Sequence, residues 1–370
     1  MRSKFLPLAL FAFLAAIASA QTRLVLVDQD GSGPGGSNQM AILALLQAPR
    51  VTVLGITMVT GNAWRDDETL HTLRMLELTG HADIPLAQGA VFPLVRNQQD
   101  TQLAEALNGK VTWLGAWGQA TSTMVKTAAG DAPAVVNNLK PQGPYDIGPL
   151  PEGRPTLKPI DEDAVHFLIR QVHAHPHQVT IYAAGPMTNI ALALSIDPGF
   201  AALTQGIVLM GGSLNPTTTD PEFATNPRHE FNFWFDPEAA HIVLRAAWPR
   251  IDVTTVDVSI KAPFAQKMLD DISKSNAPAA RYIAAWSQDR YYMWDEFAAC
   301  AWLDPTLVTR EENLYMDIDL NKGPTYGDTV TWAEKLKPAT EVRLVHAQVD
   351  LDLPRFQQMF VNLMTAPATK

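Results

Sequence analysis

Short apolar runs alternate with longer stretches of helical spacing along this chain, and that alternation constrains its fold more than any other feature. Residues 24–27, 51–57, 179–183, 206–210 and 251–256 read as buried strands. Residues 40–46, 66–78, 163–172 and 237–247 read as helices, the second with apolar Leu70, Leu73, Leu76 and Leu78. Strands that alternate with helices predict an α/β fold: an open, mostly parallel or mixed sheet with helices on both faces. No internal repeat or heptad stands out. Two irregular stretches interrupt the alternation, residues 140–159 and 213–228. Segments of that length usually serve as lids or binding loops, and the second, which follows a strand directly, is the better candidate to cover a site.

The first strand ends on Asp28-Gln29-Asp30 and runs into a turn rich in Gly and Ser, residues 31–38, before a buried helix. Ligands of open α/β sheets gather at the carboxyl ends of the strands. Two acids there are costly unless a cation, a proton or hydrogen bonds offset their charge. The junction therefore predicts a hard-metal or acid/base site. Asn62 follows the second strand in Thr60-Gly61-Asn62, and Ala184 to Asn189 follows the third. Met210-Gly211-Gly212 closes the fourth, Glu230-Phe231-Asn232 precedes Asp236-Pro237, and Tyr291 to Asp295 precedes an Ala-rich helix. Singly, each has a plain reading as a turn or a cap. Asp236 in particular reads as an N-cap with Pro at the first helical position. Together, Asp28, Asp30, Asn38, Asp295 and the Ala184 carbonyl form an oxygen set of the kind calcium takes.

Outside the site, Arg2 and Lys4, an apolar stretch over residues 6–17 and Ala18-Ser19-Ala20 read as a secretory signal peptide spanning residues 1–20. Residues 21–370 then read as one catalytic domain, periplasmic or secreted, with no second membrane segment. The formal net charge of -10 argues against nucleic acid as a partner. Cys300 is the single cysteine, so no intrachain disulfide is available, and its apolar surroundings predict a buried small residue. His71 and His229 read as ordinary helix and loop histidines.

Taken in order, these blocks resemble the inosine–uridine-preferring nucleoside hydrolases, from about Leu24 to the region of Phe356. The resemblance implies a Rossmann-like nucleoside hydrolase fold and a calcium-dependent hydrolysis of the N-glycosidic bond of ribonucleosides. It implies that Asp28, Asp30, Asn38, Ala184 and Asp295 hold Ca2+, with Asp30 also the general base. Asn62, Met210, Glu230, Asn232 and Trp294 would hold the substrate, with Asp30, Asn62 and Trp294 catalytic. Trp294-Asp295 is similar to the purine-specific branch, in which an indole stacks on the base, a contact worth roughly 1–3 kcal/mol. Trp64, Trp113 and Trp117 are candidates for a second stacking partner. The resemblance also implies a homodimer or homotetramer. One departure stands out: Ser37 and Asn38 occupy the places of an acidic pair, which predicts weaker calcium binding. Two other readings compete, a hydrolase of another N-ribosyl compound and a non-catalytic nucleoside- or ribose-binding protein.

Overall fold

The computed structural model describes residues 22–118, 124–127, 130–133, 143–287 and 291–367. The leader expected at residues 1–20 lies outside them. Eleven strands are present among these residues: β1 Arg23–Gln29, β2 Val51–Met58, β3 Leu86–Gln88, β4 Met124–Thr127, β5 Gly130–Pro133, β6 Val179–Ala184, β7 Gly206–Met210, β8 Ile251–Thr254, β9 Val308–Ile318, β10 Thr329–Trp332 and β11 Arg343–Leu351. Nine of them form one sheet in the order β10-β9-β11-β8-β7-β6-β1-β2-β3, while β4 and β5 pair separately. From β3 across to β11 every pairing is parallel. β9 then joins β11, and β10 joins β9, antiparallel. The sheet is therefore mixed and mostly parallel, with flanking helices.

The predicted strands and helices fall where the apolar pattern put them, within a few residues. The sequence pattern did not mark β3 to β5 or β9 to β11. β9 is largely solvent-facing, and Arg310, Glu311 and Glu312 break its apolar pattern.

Side chains alternate across a strand, so each strand feeds two cores. On one face Val25 and Val27 of β1 and Tyr182 and Ala184 of β6 pack with Ile42 and Phe297. On the other, Leu26, Ile181 and Ala183 pack with Leu168, Ile190 and Val243. The helix Gly36–Leu46 lies against the helix Trp294–Leu303 and is buried nearly all round, which explains its unbroken apolar run. It starts at Gly36, earlier than its apolar residues suggest, so Ser37 and Asn38 sit in its first turn.

β1 lies between β2 and β6, and the chain winds outward from it in both directions. The crevice at the carboxyl end of β1 is thus the topological switch point, the place where such sheets take ligands. Within residues 213–228 a short helix, Pro221–Thr225, hangs over this end of the sheet, its Phe223 ring 5.8 Å from that of Trp294.

Candidate active site

Strand alternation sorts the three residues that end β1. Asp28 shares a face with Leu26, turned toward the helix Thr188–Ile196. There its Oδ1 accepts from Thr57 Oγ1 at 2.5 Å and from Asn189 Nδ2 at 2.8 Å. Its Oδ2 is buried with no hydrogen-bond partner among the described residues, and burial pushes its pKa up to about 7. Asp28, expected among the metal ligands, is thereby bonded into the helix side of the sheet rather than to Asn38 or Asp295. The same Asn189 donates to the Met58 carbonyl and accepts from Ala90 N–H, so it ties the ends of β1 and β2 to the loop after β3.

Gln29 points to the opposite face and was missed from the sequence. Its Nε2 donates to Asp295 Oδ2 at 3.1 Å, and its Oε1 accepts from Asp30 N–H and Asn38 Nδ2, both at 2.9 Å. The alternation of β1 was the signal that could have found it, since of the two residues that end the strand it is Gln29, not Asp28, that faces the helices carrying Asn38 and Asp295.

Asp30 is fully buried between two glycines. A methyl group on Gly61 would lie 2.2 Å from Asp30 Oδ2, and one on Gly185 would lie 2.9 Å from Asp30 N. Its Oδ2 accepts from Asn62 N–H at 2.9 Å and its Oδ1 from Asn38 Nδ2 at 2.8 Å. Burial, and then repulsion from Asp295, raises its pKa well above the ordinary carboxylate value. Asp295 follows the first residue of the helix Trp294–Leu303, its backbone N–H bonded to Ser37 Oγ and its carbonyl accepting from Tyr182 Oη. Burial pushes Asp295 up to about 7; the Gln29 amide opposes the shift and Glu230 adds to it.

The Asn38 amide nitrogen therefore stands among Gln29 Oε1, Asp30 Oδ1 and Asp295 Oδ2, at 2.9, 2.8 and 2.9 Å. Ala184 ends β6 in register with Gln29, which brings its carbonyl to the same crevice. Among the described residues no three His, Cys, Asp or Glu side chains form a metal cluster. The donor set nonetheless suits a hard cation: two carboxylates converge on one point, and the Asn38 amide, turned half a turn, would present its oxygen there. It brings one negative charge fewer than an acid at position 38 would.

Above this cluster opens a cleft of about 370 Å³, lined by Ser37, Asn38, Asn62, Trp113, Met210, Glu222, Phe223, Glu230, Phe231, Asn232, Tyr291, Trp294 and Asp295 among others. Every expected substrate-binding residue is on that wall, and Asp30 lies behind Asn38 and Asn62. Glu230 caps the helix Phe231–Phe235: its carboxylate accepts from the N–H groups of Asn232, Phe233 and Gly212. Burial pushes it up to about 7 against those bonds. Asn232 Nδ2 donates to the Met210 carbonyl at 3.0 Å, and Asn62 Oδ1 accepts from Trp113 Nε1 at 2.8 Å. Of the three candidates for a second stacking partner, only Trp113 is on the cleft wall. Trp64 and Trp117 are buried in a separate aromatic cluster, where Trp117 stacks on Phe235 at 4.3 Å. His71 and His229 are both buried: His71 pairs with Glu152 of the first irregular stretch, and burial, with repulsion from Arg96, pushes His229 down to about 4. Cys300 is fully buried.

The switch-point crevice thus joins a buried cluster of carboxylates and amides to a cleft lined by both polar and aromatic side chains. Residues 25–358 match the family described as inosine-uridine preferring nucleoside hydrolase, and the chain belongs to that family. It is 28% identical over 264 residues to a probable uridine nucleosidase of Oryza sativa subsp. japonica, covering 71% of this chain and 68% of that one. It is 31% identical over 260 residues to a pyrimidine-specific ribonucleoside hydrolase of Citrobacter koseri, covering 70% and 68%. The fold is similar to that of a purine-preferring ribonucleoside hydrolase from Gardnerella vaginalis, with a TM-score of 0.71, 24% identity, and 93% and 98% of the two chains covered. Purine- and pyrimidine-directed proteins thus both stand among the similar chains.

Proposed function

We propose that this protein is an exported, calcium-dependent hydrolase of ribonucleosides that favours purine bases and releases free base and ribose. The observation that carries the reading is the position of Asp30: a carboxylate fixed between Gly61 and Gly185 at the switch point, directly behind the polar half of the cleft. Asn62, Met210, Glu230 and Asn232 hold the ribose, and their carboxylate and amide oxygens suit the positive charge that develops on the sugar as the bond breaks. Asp30 takes the proton of the attacking water as the C1′–O bond forms. Asp30, Asn38, Asp295 and the Ala184 carbonyl would hold calcium, which supplies positive charge that acidifies water and offsets the two carboxylates. Trp294 and Trp113, both on the cleft wall, support the purine preference, since a fused ring offers more face to stack on. Export would follow from the leader at residues 1–20, and a homodimer or homotetramer is the proposed assembly.

The test is a panel of inosine, guanosine, uridine and cytidine, with calcium and with chelator, read as ribose released. Higher kcat/KM for inosine and guanosine than for the pyrimidines is expected, as is loss of turnover with chelator. Asp30→Asn should lower kcat by at least about 10²-fold with the circular dichroism melt preserved. No ribose from any of the four substrates with calcium present would defeat the reading, and full activity in Asp30→Asn would remove Asp30 as the base.

A further inference from the structure

One carboxyl in the cleft has no part in the cluster below it. Glu222 sits on the short helix Pro221–Thr225, next to Phe223, whose ring packs edge-on against Trp294 at 5.8 Å. It lines the cleft together with Phe223 and Trp294. No hydrogen-bond donor reaches its side chain among the described residues, and His229 Nε2 stands 3.8 Å from its Oε1. That nitrogen is itself buried with no hydrogen-bond partner among the described residues. Glu222 and His229 both also line a second cavity of about 490 Å³. A half-buried carboxyl without a partner, aimed into a ligand cleft beside the aromatic wall, is poorly explained by stability.

We infer that Glu222 is the acid that protonates the departing base. The inference rests on the proposed nucleosidase reading. As water adds at C1′, Asp30 takes its proton. The C1′–N bond breaks, and its electron pair passes into the base, whose ring nitrogen takes the proton from Glu222. Free base and ribose leave, and solvent protons exchange with Asp30 and Glu222 to restore both. Because Glu222 also lines the second cavity, its proton can be replaced from that side. The surroundings keep the acid protonated near neutrality. Burial comes first, then the charges of Asp220, which caps the same helix, and of Glu230, also on the cleft wall, which together push Glu222 up to about 7. His229 adds no positive charge, being held neutral, and Tyr292 bonds to Asp220 rather than to Glu222.

Leaving-group acids are exposed by comparing a base that needs a proton with a leaving group that does not. Wild type, Glu222→Gln and Glu222→Asp are assayed with calcium on inosine and on 4-nitrophenyl β-D-ribofuranoside, which departs as a stable phenolate. Glu222→Gln is expected to lower kcat on inosine by roughly 10²–10⁴-fold while turnover of the nitrophenyl riboside stays within a few-fold. Glu222→Asp should recover part of the inosine rate. The alkaline limb of the inosine pH profile should be absent from the nitrophenyl profile. The nitrophenyl rate also reports that the variant is folded. Equal losses on both substrates, or unchanged inosine turnover in Glu222→Gln, would overturn the assignment. A wild type that cleaves neither substrate would instead overturn the nucleosidase reading beneath it.

Discussion

At the scale of single residues, the site turns on what stands at position 38. An Asn side chain donates, so without a cation it satisfies Asp30 and Asp295 by itself, at 2.8 and 2.9 Å. Binding calcium requires the same amide to turn its oxygen inward and give up those bonds. The structure thus sets hydrogen bonds against the metal, and an acid at position 38 would remove that competition. Asn38→Asp should raise calcium affinity by at least about tenfold, equal to about 1.4 kcal/mol. In chelator the same variant buries a third carboxylate near two others with no donor between them, so it should lose about 3 kcal/mol of stability. Calorimetric titration of calcium and denaturation with and without chelator read the two effects separately. An affinity no higher than wild type would show that Asn38 does not limit metal binding.

At the scale of elements, much of the site depends on helix and strand ends bonded to one another. Asp236 caps the helix Pro237–Arg245 through Ala239 N–H, and its Oδ2 accepts from Thr188 Oγ1 at 2.6 Å and from Leu94 N–H at 2.9 Å. One side chain thereby anchors the start of the helix Thr188–Ile196, which carries Asn189 to Asp28. Asp236→Ala removes a cap worth about 1 kcal/mol and strands two donors at about 1–3 kcal/mol each, so a loss of about 3 kcal/mol or more in urea denaturation is expected. A loss below about 1 kcal/mol would show that the junction relaxes around the missing acid. The Asp-Pro pair made this cap readable in the sequence, because a cap is a local signal. The parallel strands β1, β2, β6, β7 and β8 were readable too, being largely buried on both faces and so continuously apolar. What escaped reading depends on partners far along the chain. Gln29 looks like a spacer between two acids until β1 is given two faces. Glu222 looks like loop polarity until Phe223 is seen against Trp294. His71 becomes a latch only when Glu152 is brought to it.

At the scale of the whole molecule, the fold gathers carboxylates in its interior and so becomes sensitive to pH. Burial pushes Glu230 up to about 7, Asp236 to about 6 and Asp328 to about 6, each against hydrogen bonds that favour the charged form. Each holds a proton in the folded state that the unfolded chain releases near its ordinary value of about 4. Their contribution is therefore complete below about pH 4 and is lost as pH rises through about 6 to 7. His229 works the other way. Burial, and then Arg96, lower it to about 4, so its contribution is complete above about pH 6.5 and is lost as pH falls toward 4. On the far acid side, Glu77, lowered to about 2 by the Thr156, Leu157 and Arg74 bonds that outweigh its burial, loses its contribution below about pH 4.5. These raised carboxylates outweigh one lowered imidazole between about pH 4 and 7, so stability in chelator should be greatest near pH 4 and decline toward pH 8. Urea midpoints in chelator at pH 5.5 and pH 8 measure this, and a higher midpoint at pH 8 would contradict it. Saturating calcium should narrow the difference, because a cation binds the ionised form of the cluster and stabilises the fold most where those carboxylates are already deprotonated.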